Sequence, residues 1–116
     1  METIYKVVKL SKLDYYKTHL SIINPILPVN MTSREIEILA SFMNLEGDIA
    51  EDRFGTTARK MVMQTLGLKP SNLSNFLKSL LDKEFIKEIN GKIEIQPILF
   101  PEKNRQQYQF RLENLN

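Results

Sequence analysis

The residues of this chain best suited to chemistry are Lys69, Ser71, Asn72, Asn75 and Lys78, within LGLKPSNLSNFLKSLLDKEFI (66–86). Asn72, Asn75, Lys78 and Ser79 fall opposite an apolar stripe of Leu73, Phe76, Leu77, Leu80 and Leu81, the i, i+3, i+4, i+7, i+8 spacing of a helix with one buried face. Amides can hydrogen-bond base edges, and ammonium groups can neutralise phosphate. A helix presenting both has the means to read a duplex. The alternative is an ordinary solvated helix face.

Catalytic chemistry has much thinner support. His19, the one histidine, has no Ser, Cys or Asp at a spacing that builds a nucleophilic site. Asp48, Glu51 and Asp52 form the one acidic knot, which reads as a solvated loop rather than a cation site. The four glycines are scattered, so no phosphate-cradling loop is present, and there is no cysteine for a disulfide or thiolate metal site. The expectation is a non-enzymatic protein with no cofactor, no metal and no small-molecule ligand.

The elements around the polar helix read clearly. Gly67 stands where two helices meet at a sharp turn, and Pro70 and Ser71 suit a first helical turn. Upstream, Thr32-Ser-Arg-Glu35 matches a capping box, opening a helix through Asn44 with Ile36, Leu39, Ala40 and Met43 inward. Residues 45–55 read as a loop. Thr56 or Thr57 then caps a helix over 58–66 that buries Met61, Val62 and Leu66, with Arg59 and Lys60 either solvated or on phosphate. Downstream, Asn90-Gly91 between two alternating runs predicts a hairpin that sets Ile86 opposite Ile95 and Lys87 opposite Glu94. Tyr108–Leu112 alternates again and is expected as a third strand.

Residues 1–30 read as an N-terminal arm. Thr3–Leu10 is a short strand or extended segment, Leu13–Ile23 a helix ended by Asn24-Pro25, and NPILPVN (24–30) a connector whose Ile26, Leu27 and Val29 pack on the body. This arm either covers the helical core or serves as a dimerisation or assembly element. At 116 residues, 42% hydrophobic and 26% charged, the chain has the make-up of a globular protein, with residues 31–116 its main domain. No apolar run nears the roughly 18 residues of a membrane helix, and no signal-peptide core opens the chain; a cytoplasmic location is the default. The net charge is only +2, distributed unevenly. Residues 1–30 carry four lysines against Glu2 and Asp14; 31–68 carry four basic residues against six acids; 69–116 carry eight against six. The positive excess thus lies in the arm and in the polar helix and hairpin, an asymmetry that fits a face meeting phosphate but whose size does not demand one.

Capped helix, short helix, LGLKPSNLSNFLKSLLDKEFI, strand, turn and strand together resemble the winged helix-turn-helix domains of bacterial and phage regulators, including the MarR type. Gly91-Lys-Ile-Glu-Ile-Gln-Pro-Ile-Leu-Phe100 is also similar to the wing of small plasmid replication initiators. The resemblance covers roughly residues 31 to 112. It implies a mainly α fold with a small β-sheet, namely a three-helix core with a C-terminal hairpin wing. It further implies a double-stranded DNA partner. Ser71, Asn72, Asn75 and Lys78 would face the major groove, Lys69 would join Lys78 on phosphate, and Lys92, or Lys103 with Arg105, would sit at a wing tip. Such regulators commonly read two half-sites, which implies a homodimer, here through residues 1–30. The chain departs from the pattern at Pro70, in residues 1–30, and in lacking arginine on the recognition face, the side chain that most often reads guanine. The cysteine-free, Lys/Asn/Ile-rich composition points to a phage or low-GC bacterial source, with action in the host cytoplasm if phage-encoded. Two functions follow as expectations: a transcriptional regulator or replication-initiation factor, or else a structural or adaptor protein, such as a virion or assembly component, using the fold for protein contacts.

Overall fold

The capping box at Thr32 sets the centre of the molecule. Thr32 Oγ1 accepts from the Glu35 N–H (3.1 Å) and Glu35 Oε1 accepts from the Thr32 N–H (2.8 Å), so two otherwise unpaired donors are satisfied as the helix starts. That helix, α2 (Ser33–Met43), buries Ile38 and Phe42 as well as Ile36, Leu39, Ala40 and Met43. It is buried on most sides, Glu35 and Ser41 included, because α1, α4 and α5 all pack against it.

A computed structural model describes residues 4–116. Before α2 lies α1 (Lys12–Ile23); after it come α3 (Asp48–Glu51), α4 (Thr56–Leu66) and α5 (Pro70–Asp82), then β1 (Ile86–Ile89) and β2 (Lys92–Ile95). Single 3-10 turns span Asn24–Ile26 and Pro97–Leu99. The protein is therefore mainly helical with one two-stranded antiparallel sheet among the described residues, an α+β fold. Among the described residues no helix is long and apolar enough to cross a membrane.

α1 is capped by Ser11, whose Oγ accepts from the Asp14 N–H, and it sends Leu20 into the same core as α2. The Asn24 side chain then clasps the connector by bonding both the N–H (2.7 Å) and the carbonyl (2.9 Å) of Met31. Of the three connector residues expected to pack, only Leu27 does so; Ile26 and Val29 remain exposed. The strand alternative for the arm is not formed: residues 4–10 belong to no helix or strand, and Thr3 lies outside the described residues.

The 45–55 segment is more ordered than a plain loop. It contains α3, and Arg53 Nη1 donates to the carbonyls of Phe42, Met43 and Leu45 at the end of α2. Phe54 stacks on Phe42 with ring centroids 4.4 Å apart. α4 begins at Thr56 with Gly55 at the cap, so neither threonine caps it; Met61 is half-exposed rather than buried.

Gly67 closes α4 in the left-handed region (φ 65°), and the Leu68 N–H bonds back to the Met63 carbonyl (3.0 Å). α5 follows, burying Leu73, Leu77 and Leu80. Glu84 (φ 64°) then turns the chain into the hairpin, whose register pairs Ile86 with Ile95 and Lys87 with Glu94. Asn90 and Gly91 both take positive φ at the turn, as a two-residue hairpin loop demands.

The third strand expected over Tyr108–Leu112 is not formed. The C-terminal segment runs along α1 instead, with Tyr15 Oη donating to the Glu102 carbonyl (2.7 Å) and Tyr108 Oη bonded to His19 Nδ1. A phenol that finds a buried imidazole is better satisfied there than on the face of a two-stranded ribbon.

Candidate nucleic-acid interface

Because Leu73, Leu77 and Leu80 lock one face of α5 into the core, the opposite face must point outward. Ser71, Ser74, Asn75 and Lys78 line it, with Asn72 at its border, and all five are exposed. None of these side chains hydrogen-bonds another described residue, which leaves their donors and acceptors without a partner among the described residues. Lys69 occupies the N-cap position just before them. Between Lys69 and Leu81 there are two lysines and no acid. The helix N-terminus adds its own partial positive charge to that end.

Ser79 does not belong to this exposed row. Its Oγ donates to Glu35 Oε2 (2.7 Å), while Lys83 Nζ donates to Glu35 Oε1 (2.7 Å) and to the Asn30 carbonyl (3.1 Å). Glu35 is only 1% exposed. Burial by itself pushes its carboxyl pKa up. The hydrogen bonds from Lys83, the Thr32 N–H and Ser79, with the Lys83 charge, outweigh burial and hold it below the usual carboxylate value. Next to it, Arg34 Nη2 donates to the Leu66 carbonyl (3.0 Å), the last residue of α4, while Nη1 meets Glu37 (2.6 Å). Two adjacent residues of α2 thus hold α4 and α5. Sequence reasoning found the capping role of Glu35 but not its second oxygen; the Ser79/Lys83 pair, one turn apart on α5, was the available signal.

The expected basic contacts divide. Lys92 is exposed on β2 directly after the Asn90-Gly91 turn, at the hairpin tip, and Lys87 pairs with Glu94 across the ladder. Lys103 and Arg105 do not sit at that tip. They lie between Glu102 and Tyr108, both of which are held against α1. Arg59 Nε donates to the Phe54 carbonyl (2.6 Å), a structural bond, while Lys60 is exposed. The structure therefore places Ser71, Asn75 and Lys78 on one exposed face of α5, with Asn72 at its border, Lys69 at its N-cap and Lys92 on the hairpin that follows, while Lys103 and Arg105 belong to the C-terminal segment along α1.

His19 is buried, with Nδ1 on Tyr108 and Nε2 lacking a hydrogen-bond partner. Burial lowers its pKa, against a smaller upward pull from the Leu99 backbone. Among the described residues no cluster of three or more His, Cys, Asp or Glu side chains is placed to hold a metal ion. No family model, curated protein or solved structure matches the chain.

Proposed function

We propose that this chain is a winged-helix DNA-binding protein, acting in the cytoplasm as a phage or bacterial transcriptional regulator or replication-initiation factor. In this reading α4, the Gly67 turn and α5 are the helix-turn-helix, α5 enters the major groove, and the β1–β2 hairpin is the wing. The observation that carries the reading is the exposed, unpartnered row Ser71, Asn72, Asn75 and Lys78 on a helix whose other face is fixed in the core. Lys69, Lys78 and Lys92 supply phosphate contacts, and Asn72 and Asn75 supply base preference, with adenine the natural partner of an amide. Nothing in this chemistry calls for catalysis, a cofactor or a metal.

A mobility-shift titration on random duplex at two salt concentrations tests it. Three phosphate contacts predict that log K falls with log salt at a slope of about −3. Lys78→Ala should weaken binding to all sequences alike and reduce that slope by about 1. Asn75→Ala should relax preference at one base position by about 1–3 kcal/mol. Absence of binding at low salt would remove the proposal. It would favour a structural or adaptor role, the second reading, for which the near-neutral net charge and the exposed apolar residues 4–10 speak.

A further inference from the structure

Asn90 and Gly91 form the tip of the β1–β2 hairpin, and of the four glycines in the chain only Gly91 follows an asparagine. Asparagine is a chemically labile side chain, because its amide carbon is open to attack by the backbone nitrogen of the next residue. Three features of the tip favour that attack. Gly91 has no side chain to hinder the approach, and the space around it is open, since a Cβ built there would meet no atom within 4 Å. The Gly91 N–H makes no hydrogen bond among the described residues, because Ile89 and Lys92 pair with each other across the turn. The Asn90 amide is likewise unbonded among them, and every residue from Lys87 to Lys92 is exposed, so no packing holds the amide in place. Elsewhere the same attack is hindered. Asn24 precedes Pro25, which has no N–H, and its amide is bonded to Met31. Asn72 and Asn75 precede Leu73 and Phe76, whose bulk crowds nitrogens that already belong to the helix α5.

We propose that Asn90 is a self-modifying site, which converts the hairpin tip from a neutral amide to a carboxylate and so weakens the hold of the wing on DNA; the effect on DNA rests on the function proposed above. The Gly91 nitrogen forms a bond to Asn90 Cγ and closes a succinimide ring. The Cγ–Nδ2 bond breaks, and Nδ2 departs as ammonia with the proton that Gly91 gives up. Water then opens the ring. Addition at Cγ gives aspartate, and addition at the backbone carbon gives isoaspartate, in which the chain runs on through the side-chain methylene. Water enters and ammonia leaves, so no oxidant, enzyme or cofactor is needed. The left-handed backbone of Asn90 (φ 51°) must relax for the ring to close, and an unpacked tip of a two-stranded ribbon is where a chain opens most readily. Either product is ionised above about pH 4 and stands two residues from Lys92. Lys92 lies opposite Ile89 with no acid bonded to it among the described residues, so the new charge offsets the one cation of the wing that no cross-strand acid faces. Losing one phosphate contact at about 0.1 M salt weakens binding about five- to tenfold.

The full chain is held at mildly alkaline pH, digested and mapped by mass spectrometry. The expected result is an amide-to-acid mass gain at Asn90, with isoaspartate in the product and Asn72 and Asn75 unchanged over the same interval. Asn90→Gly keeps a residue suited to the turn and should show no gain at that position. Asn90→Asp carries the product charge in a turn that Asp-Gly also suits, so its thermal melt should match the native one. On random duplex at about 0.1 M salt it should bind about five- to tenfold more weakly than the native chain, with a salt slope shallower by about 1. Asn90 converting no faster than Asn72 or Asn75 overturns the site. Asn90→Asp binding with native affinity and slope overturns its effect on the wing. A native chain that binds no duplex removes the proposed function and this effect with it, whereas the conversion of Asn90, read by mass alone, is decided in either case.

Discussion

Replacing Lys83 with Met tests the buried core of the α2–α5 contact. The substitution keeps the length of the side chain and removes its charge, leaving the Glu35 carboxylate with only the Thr32 N–H and Ser79 hydroxyl. Breaking one side of a fully buried ion pair costs about 3–5 kcal/mol. Here Lys83 is 26% exposed, so water can enter on that side, and two hydrogen bonds survive. About 2–3 kcal/mol is the expected loss, a large part of the about 5–15 kcal/mol that holds such domains together. It corresponds to roughly 10 °C in Tm for a chain of this size.

The pH dependence gives this prediction its signature. In the native protein the Glu35 pKa is depressed, so its contribution is present above the unfolded carboxyl value and lost as pH falls through the folded one. Without Lys83, burial becomes the dominant influence and the folded pKa moves upward. Protonation then relieves a buried charge instead of breaking a bond. The stability gap between the two proteins, measured by urea unfolding followed by circular dichroism, should therefore narrow from pH 7 to about pH 4. Adding Glu35→Gln, which preserves the capping-box geometry, should recover about 1 kcal/mol at pH 7. A loss below about 1 kcal/mol, or a gap unchanged across this range, would refute the account of Glu35 as an ionised buried group.

The His19–Tyr108 contact should respond at higher pH. Burial depresses the His19 pKa, so its stabilising effect is complete above about 6.5, the ordinary imidazole value, and declines as pH falls below it. Thermal melts at pH 7.5 and 5.5 should show this loss, and His19→Phe should flatten it. Tyr108→Phe should cost about 1 kcal/mol and make residues 101–116 cleave faster under limited proteolysis. At Gly67 an added Cβ meets no atom within 4 Å, so Gly67→Ala should cost only the left-handed backbone penalty, about 1 kcal/mol, and Gly67→Asn less. Equal melting temperatures for all three chains would refute that reading.

What could be read from the sequence was what local physics decides. The capping box, the Gly67 turn, the apolar stripe of α5 and the hairpin register each depend on residues within about one turn or one two-residue loop of each other. What could not be read depends on partners far along the chain. Ser79 looked like part of the outer face because helical spacing puts it there, but Glu35, 44 residues away, draws it inward. Arg59 looked available for phosphate or solvent by type alone, yet it donates to the Phe54 carbonyl, five residues back across the start of α4. Tyr108–Leu112 has strand alternation, but Tyr108 has a partner 89 residues earlier that no periodicity announces. For the candidate interface the same division holds. The α5 row and Lys92 were visible, whereas the distance of Lys103 and Arg105 from the hairpin tip followed only from the path of the C-terminal segment along α1.

Arg34 carries the argument one step further, because it links the core to the interface without being part of it. Its guanidinium binds the carbonyl of Leu66 immediately before the Gly67 turn, while its neighbour Glu35 binds Ser79 and Lys83 on α5. The angle at which α5 leaves α4 is therefore set from α2 at both ends. If α5 docks on DNA as proposed, Arg34→Met loosens the helix before binding, and ordering it again must be charged against affinity. One lost hydrogen bond from a half-exposed cation is worth about 1 kcal/mol, or roughly fivefold in Kd. Because no phosphate contact disappears, the salt slope should stay as in the native protein, in contrast to the drop of about 1 expected for Lys78→Ala. A mobility-shift series at three salt concentrations separates the two effects. If Arg34→Met lowers the slope by a full unit, Arg34 touches phosphate itself, and its role as the brace between α2 and α4 is the wrong explanation.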